Sequence, residues 1–219
     1  MEIAADMKNY DSVDVYIAKI PENCPIKEVS HSARQNEIAA VSNENQKREK
    51  YFVWKLLEYA VRDKYRCDIL DMKLSKTQNG KWVSELCSLS ISHSGGAVLV
   101  ALAPHKLSVG ADIELMSERR DPDALARRIL SSEQLSEYGM KQNGEEKTEY
   151  LLSAWTSKEA VFKMKDLNAF LPSSFAPEQE HLRVESVILD KKKYIISVAS
   201  AKAADIRFET VEKIFTAEK

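Results

Sequence analysis

One succession of elements is written twice along this chain. Residues 13–18 read as a strand, a polar helical stretch follows from about Ser30, and a stronger helix spans 46–65, with Tyr51, Trp54, Leu57 and Val61 on its apolar face. Residues 86–91 and 97–103 then read as strands connected through Ser92-His93-Ser94-Gly95-Gly96. The order restarts with a strand at 107–115, a helix near 122–130, another short helix capped at Ser131-Ser132-Glu133-Gln134, a long helix at 147–165 and strands at 182–189, 193–199 and 206–211. Trp54, Glu58 and Arg62 recur at the same mutual spacing as Trp155, Glu159 and Lys163, and Asp14-Val15-Tyr16 has its counterpart in Asp112-Ile113-Glu114. The expected fold is therefore α+β, a pseudo-dimer of two similar halves divided as 1–105 and 106–219. A cleft between such halves is a natural place for a ligand.

Composition narrows the ligand. Lys plus Arg total 32 against 34 Asp plus Glu, a net charge of −2, which excludes a general nucleic-acid coat but leaves room for a local basic patch. Cys24, Cys67 and Cys87 form no CxxC pair and leave one over, as expected of reduced thiols in a cytoplasmic protein. The N-terminal residues are acidic where a secretory leader is basic, and nothing approaches the roughly 20 apolar residues of a membrane span. The expectation is a soluble, cytoplasmic monomer with neither nucleic acid nor membrane as partner.

Three constellations carry chemistry. In Gly110-Ala111-Asp112-Ile113-Glu114, strand alternation puts Asp112 and Glu114 on one face and Ala111 and Ile113 on the other. Paired carboxylates repel unless a cation or proton lies between them, and hard oxygen ligands suit Mg2+; a solvated strand end gives the same pattern. In Trp155-Thr156-Ser157-Lys158-Glu159-Ala160-Val161-Phe162-Lys163, helical spacing aligns Trp155, Glu159 and Lys163. Apolar residues on several sides of that helix imply burial, and a buried charge needs a partner. In Ile91-Ser92-His93-Ser94-Gly95-Gly96, small residues expose backbone N–H groups to an anion while Ser and His add donors.

Together, in this order and spacing, ISHSG, GADIE and WTSKEAVFK resemble the phosphopantetheinyl transferases of the surfactin-synthetase-activating type, firmly over 46–163 and loosely beyond. The resemblance implies a two-lobed enzyme that moves the 4′-phosphopantetheine arm of coenzyme A onto a serine of an acyl, peptidyl or aryl carrier protein. It implies that Asp112, Glu114 and Glu159 hold Mg2+ against the pyrophosphate of coenzyme A. Ser92 and His93 would contact phosphates, and Lys163 would neutralise the transferring group. Gly80 and Lys81 would line the nucleotide, and Lys47 or Arg48 would meet the 3′-phosphate. The chain departs from the family pattern at Trp82, where a proline usually follows Gly-Lys, and at Met164–Asn168, where glycines are usual.

Such a transfer needs positioning and charge neutralisation above all. The carrier serine would attack the β-phosphate and release 3′,5′-ADP, with Glu159 taking the serine proton directly or through a bound water. Two rivals stand beside it: a non-catalytic protein that binds coenzyme A or a carrier, which would not need all of Asp112, Glu114 and Glu159, and a metal-dependent phosphohydrolase that uses the same acids. Because carriers in this family's reaction are generally acidic around the serine, Arg119, Arg120, Arg127 and Arg128 are the expected docking surface.

Overall fold

The structure is a computed structural model, and it describes residues 12–117, 121–142, 144–174, 177 and 180–212. Strand β1 (Ser12–Lys19) is apolar on both faces because it lies inside a sheet covered on both sides. Helices α1 (Ser32–Ala39) and α2 (Glu44–Tyr65) follow; the Asn43 side chain accepts the Gln46 N–H at 3.1 Å and so caps α2. Next come the short hairpin β2 (Ser75–Lys76) and β3 (Trp82–Val83), then β4 (Cys87–Ser94), β5 (Ala97–Pro104) and β6 (Val109–Leu115). Helices α3 (Pro122–Ile129), α4 (Ser132–Gly139) and α5 (Gly144–Lys165) precede β7 (His181–Leu189), β8 (Lys192–Ser200) and β9 (Asp205–Thr210).

These elements make an α+β protein with two principal sheets, ordered β4-β5-β1-β9 and β6-β8-β7. Side-chain alternation in the first sheet divides two cores. Tyr16 and Ala18 of β1 and Val98, Val100 and Leu102 of β5 point to α2, where Phe52, Trp54, Leu57 and Val61 are buried. Val13, Val15, Ile17, Leu99 and Ala101 point the other way, against Ala111 and Ile113 of β6 and Tyr194, Ile196 and Val198 of β8. Helix α5 covers the far face of β8, where Ala160, Val161 and Met164 meet Ala199. The order is thus helix, sheet, sheet, helix.

The β4 and β6 edges meet through serines rather than through a backbone ladder. Ser88, Ser90 and Ser94 accept the N–H groups of Val109, Ala111 and Leu115 at 3.1, 2.9 and 3.2 Å. This seam joins the two sheets and carries the acidic strand.

The structure differs from the sequence expectation in three places. Ser92-His93-Ser94 is not a connection but the end of β4. The reversal is confined to Gly95 and Gly96, whose φ of +55° and +88° make the tight turn that two-residue hairpins prefer. The hairpin of β2 and β3 was not expected; Gly80, at φ +86°, turns it. Strand β9 pairs in parallel with β1, so residues beyond the 105/106 division complete the sheet of the first segment. No helix among the described residues is long and apolar enough to cross a membrane.

Candidate active site

Gly110 sets the distance between α5 and β6. A Cβ there would lie 1.9 Å from the carbonyl oxygen of Ala160 and 2.4 Å from the nitrogen of Met164, both backbone atoms of α5. Only glycine lets the helix lie this close, and the approach brings Glu159 and Lys163 beside the acidic face of β6.

Lys163 Nζ donates to Asp112 Oδ1 at 2.7 Å and to Ser92 Oγ at 3.2 Å. Ser92 Oγ in turn donates to the same Asp112 oxygen at 2.6 Å. Asp112 is buried, and its second oxygen, Oδ2, has no hydrogen-bond partner among the described residues. Two residues along, Glu114 accepts the Ser94 hydroxyl at 2.8 Å. Glu159 is half-buried one helical turn before Lys163. Burial raises its carboxyl above the usual range; Lys163 opposes that shift, and the charges of Asp112 and Glu114 add to it.

Three carboxyl groups therefore share one corner with a lysine. Among the described residues no group of three or more His, Cys, Asp or Glu is gathered tightly enough to hold a metal ion. Asp112 Oδ1 is instead engaged by Lys163 and Ser92. The donor set nevertheless fits a hard cation: every atom is a carboxylate oxygen, and the buried Oδ2 lacks a donor.

These residues line one wall of a cleft of about 490 Å³. The same cleft also carries basic residues. Arg34 is 3% exposed and holds Glu37 at 2.7 Å; Lys50 and Lys76 line the cleft beside it. Burial lowers the pKa of both Arg34 and Lys50, and the cation of Arg34 lowers Lys50 further. Lys81 Nζ donates to the carbonyls of Val109 and Met164 at 3.2 and 3.4 Å, so it ties the β3 hairpin to β6 and α5. Trp155 and Phe162 add an aromatic wall, each in contact with Phe170.

Of the residues singled out in the sequence, Gly80, Lys81, Ser92, His93, Asp112, Glu114, Glu159 and Lys163 all line this cleft. Lys47 and Arg48 do not. Lys47 pairs with Glu44 at 2.7 Å, and Arg48 donates to the carbonyls of Pro21, Glu22 and Cys24. The cleft face of α2 is set by Lys50 and Val53, and Arg48 lies roughly 200° around the helix from Lys50. Lys158, inside the same motif as Glu159, is fully buried away from the cleft. Its Nζ donates to the carbonyls of Ile129 and Pro172 at 2.8 and 2.7 Å, fastening the end of α3 to the segment after α5. Arg127 and Arg128 are exposed on the last turn of α3, while Arg119 and Arg120 lie outside the described residues.

Arg34, Lys50 and Lys76 were missed in the sequence. Each sits on a different element, and no local pattern marks them as neighbours. Residues 108–210, the stretch from β6 through β9 that carries Asp112, Glu114, Glu159 and Lys163, match the family model described as the 4′-phosphopantetheinyl transferase superfamily. No curated protein matches the chain.

Proposed function

We propose that this protein is a 4′-phosphopantetheinyl transferase that moves the phosphopantetheine arm of coenzyme A to a carrier-protein serine and releases 3′,5′-ADP. The observation that carries the reading is the junction of Lys163, Ser92 and Asp112 beside Glu159, inside the superfamily match. A phosphorylated ligand suits this lining. Lys163 offers a cation at the acidic corner, and Arg34, Lys50 and Lys76 offer three more for the nucleotide's remaining phosphate. Gly80 and Lys81 line the same cleft and would face the nucleotide.

Asp112, Glu114 and Glu159 would hold Mg2+, which when bound would stabilise charge on the pyrophosphate. Lys163 would then neutralise the transferring phosphoryl group. Glu159 is the base proposed for the serine proton. The cleft takes residues from both segments of the chain, Arg34 to His93 and Asp112 to Leu167, which supports the two-lobed reading with one site per chain. The corresponding acids of the first segment are engaged apart from each other: Asp14 with Lys64 and Glu58 with Lys55.

The test is incubation of the protein with an apo carrier, coenzyme A and Mg2+, followed by mass spectrometry of the carrier. The expected result is a mass gain of one phosphopantetheine arm. Binding of coenzyme A with no gain on acyl, peptidyl or aryl carriers would make the protein a binder. Cleavage of coenzyme A without any carrier would make it a phosphohydrolase.

A further inference from the structure

Strand alternation gives His93 surroundings unlike those of its neighbours. Ser92 and Ser94 point across the seam to Asp112 and Glu114, and His93 between them points the other way, towards α2. There its Nδ1 lies 3.2 Å from Oε2 of Glu49, with the two side chains 37% and 22% exposed. Nε2 has no hydrogen-bond partner among the described residues, and the ring lines the cleft. Glu49 itself is not among the lining residues and stands behind the ring.

Around the pair stand Lys163 from α5, Arg34 from α1, Lys50 from α2, and Asp112 and Glu114 from β6. Burial first, and then the cations of Lys163, Arg34 and Lys50, bring the imidazole down to about 4, so the ring is neutral at neutral pH and carries a single N–H. Burial and the charge of Glu114 raise the Glu49 carboxyl. A neutral imidazole places its proton on the nitrogen that has an acceptor, and the partner at that nitrogen decides which way the other one faces.

We propose that Glu49 is a positioning residue of this site, accepting the Nδ1–H of His93 and thereby fixing both the tautomer of the ring and the presentation of Nε2 to the bound ligand. Without Glu49 the ring can rotate about its two side-chain torsions and exchange tautomers, and Nε2 no longer has a fixed place in the cleft. The identity of that ligand as coenzyme A rests on the transferase reading; the contact between Glu49 and His93 does not.

Two measurements decide it. In the first, 15N-histidine NMR of the ligand-free protein reads the tautomer of His93, with His93→Ala assigning the resonance. The proton is expected on Nδ1 in the unaltered protein and in Glu49→Gln, whose amide oxygen still accepts. In Glu49→Ala the signal should become that of an exchanging mixture. In the second, coenzyme A affinity is measured by calorimetry for the unaltered protein, Glu49→Ala, His93→Ala and the double variant. Glu49→Ala should weaken binding by about 5- to 10-fold, the loss of one well-placed hydrogen bond. In the His93→Ala background the same change should alter affinity less than about twofold, because the effect runs through the ring. Equal losses in both backgrounds, or a proton found on Nε2 in the unaltered protein, would overturn the proposal. Should the unaltered protein not bind coenzyme A at all, the transferase reading fails, and the tautomer spectra still decide whether Glu49 sets the ring.

Discussion

Replacing Gly110 with alanine tests the packing that assembles the candidate site. The added Cβ would sit 1.9 Å from Ala160 O, 2.4 Å from Met164 N and 2.9 Å from Met164 Cα. All three belong to the backbone of α5, so no side-chain rotation relieves the clash. Because contacts under 3.0 Å are essentially never seen, helix and strand must separate locally by about 1.1 Å. The 2.7 Å hydrogen bond from Lys163 to Asp112 spans that same interface. Stretched by a similar amount it reaches about 3.8 Å, beyond hydrogen-bond range. Overpacking costs about 1–3 kcal/mol, and a lost hydrogen bond between charged groups about 1.5–3 kcal/mol. Gly110→Ala should therefore destabilise by about 3 kcal/mol or more, lowering Tm by roughly 6–12 °C in a chain of this size. The assay is urea and thermal unfolding by circular dichroism, with carrier modification measured on the folded fraction. Gly139 at the end of α4, whose Cβ would meet nothing within 4 Å, is the control. Its alanine variant should stay within about 0.5 kcal/mol of the parent. A Gly110→Ala protein as stable and as active as the parent would refute the argument that the close approach of α5 builds the site.

Asp112→Ala, Glu114→Ala and Glu159→Ala should each lower carrier modification by on the order of 10²-fold or more while leaving the circular dichroism spectrum unchanged; near-parental turnover of Glu159→Ala at saturating Mg2+ would remove Glu159 from the mechanism. The raised Glu159 carboxyl also makes a stability prediction for the metal-free protein. The folded form holds the proton above the pKa of the unfolded chain, so stability falls as pH rises through the window between the two. Glu159→Gln should therefore flatten that dependence and unfold at higher denaturant than the parent near neutral pH; an unchanged pH profile would contradict it. Reversing Arg127 and Arg128 to Glu on the exposed turn of α3 should raise the KM for an acidic carrier several-fold at low salt, flatten its salt dependence and leave the KM for coenzyme A nearly unchanged. Unaltered carrier kinetics would exclude this surface.

What could be read in the sequence depended on how local its cause was. The α2 face of Tyr51, Trp54, Leu57 and Val61 follows from 3.6-residue periodicity, and all four are buried. Strand alternation likewise separates Asp112 and Glu114 from Ala111 and Ile113, and the structure keeps that division. Non-local causes left no such trace. Strand β9 pairs with β1 from the far end of the chain, a choice made by the open edge of β1 and the burial of apolar side chains such as Ile206 and Phe208. Lys47 and Arg48 were the cations expected at the start of α2, and Lys50 two residues on was not singled out. Only the helix's orientation on its sheet decides that Lys50 faces the cleft and Arg48 holds loop carbonyls. The serines of β4 alternate along the sequence, but strand β6, which makes them a seam, adjoins β4 only in three dimensions.

That seam explains why the candidate site lies where it does. Backbone hydrogen bonding would have used the edges of β4 and β6 to join the sheets and left their side chains free to pack. With serines as the link, the Oγ of Ser88, Ser90 and Ser94 each accepts a β6 amide and still has one proton to give. At Ser90 that proton goes to the carbonyl of Ala111 at 3.4 Å, a contact internal to the seam. At Ser94 it goes to Glu114. Ser92 turns wholly to the acidic face, donating to Asp112 and accepting from Lys163. Moving along β4 from Ser88 to Ser94, the serines pass from holding the sheets together to orienting carboxylates. The acids therefore stand on the junction between the two sheets, where a change in the seam's spacing is felt directly at Asp112. Gly110 controls the same strand on the face that packs against α5. The geometry of the acidic corner is thus set by hydroxyls along one edge of β6 and by the missing Cβ on that face.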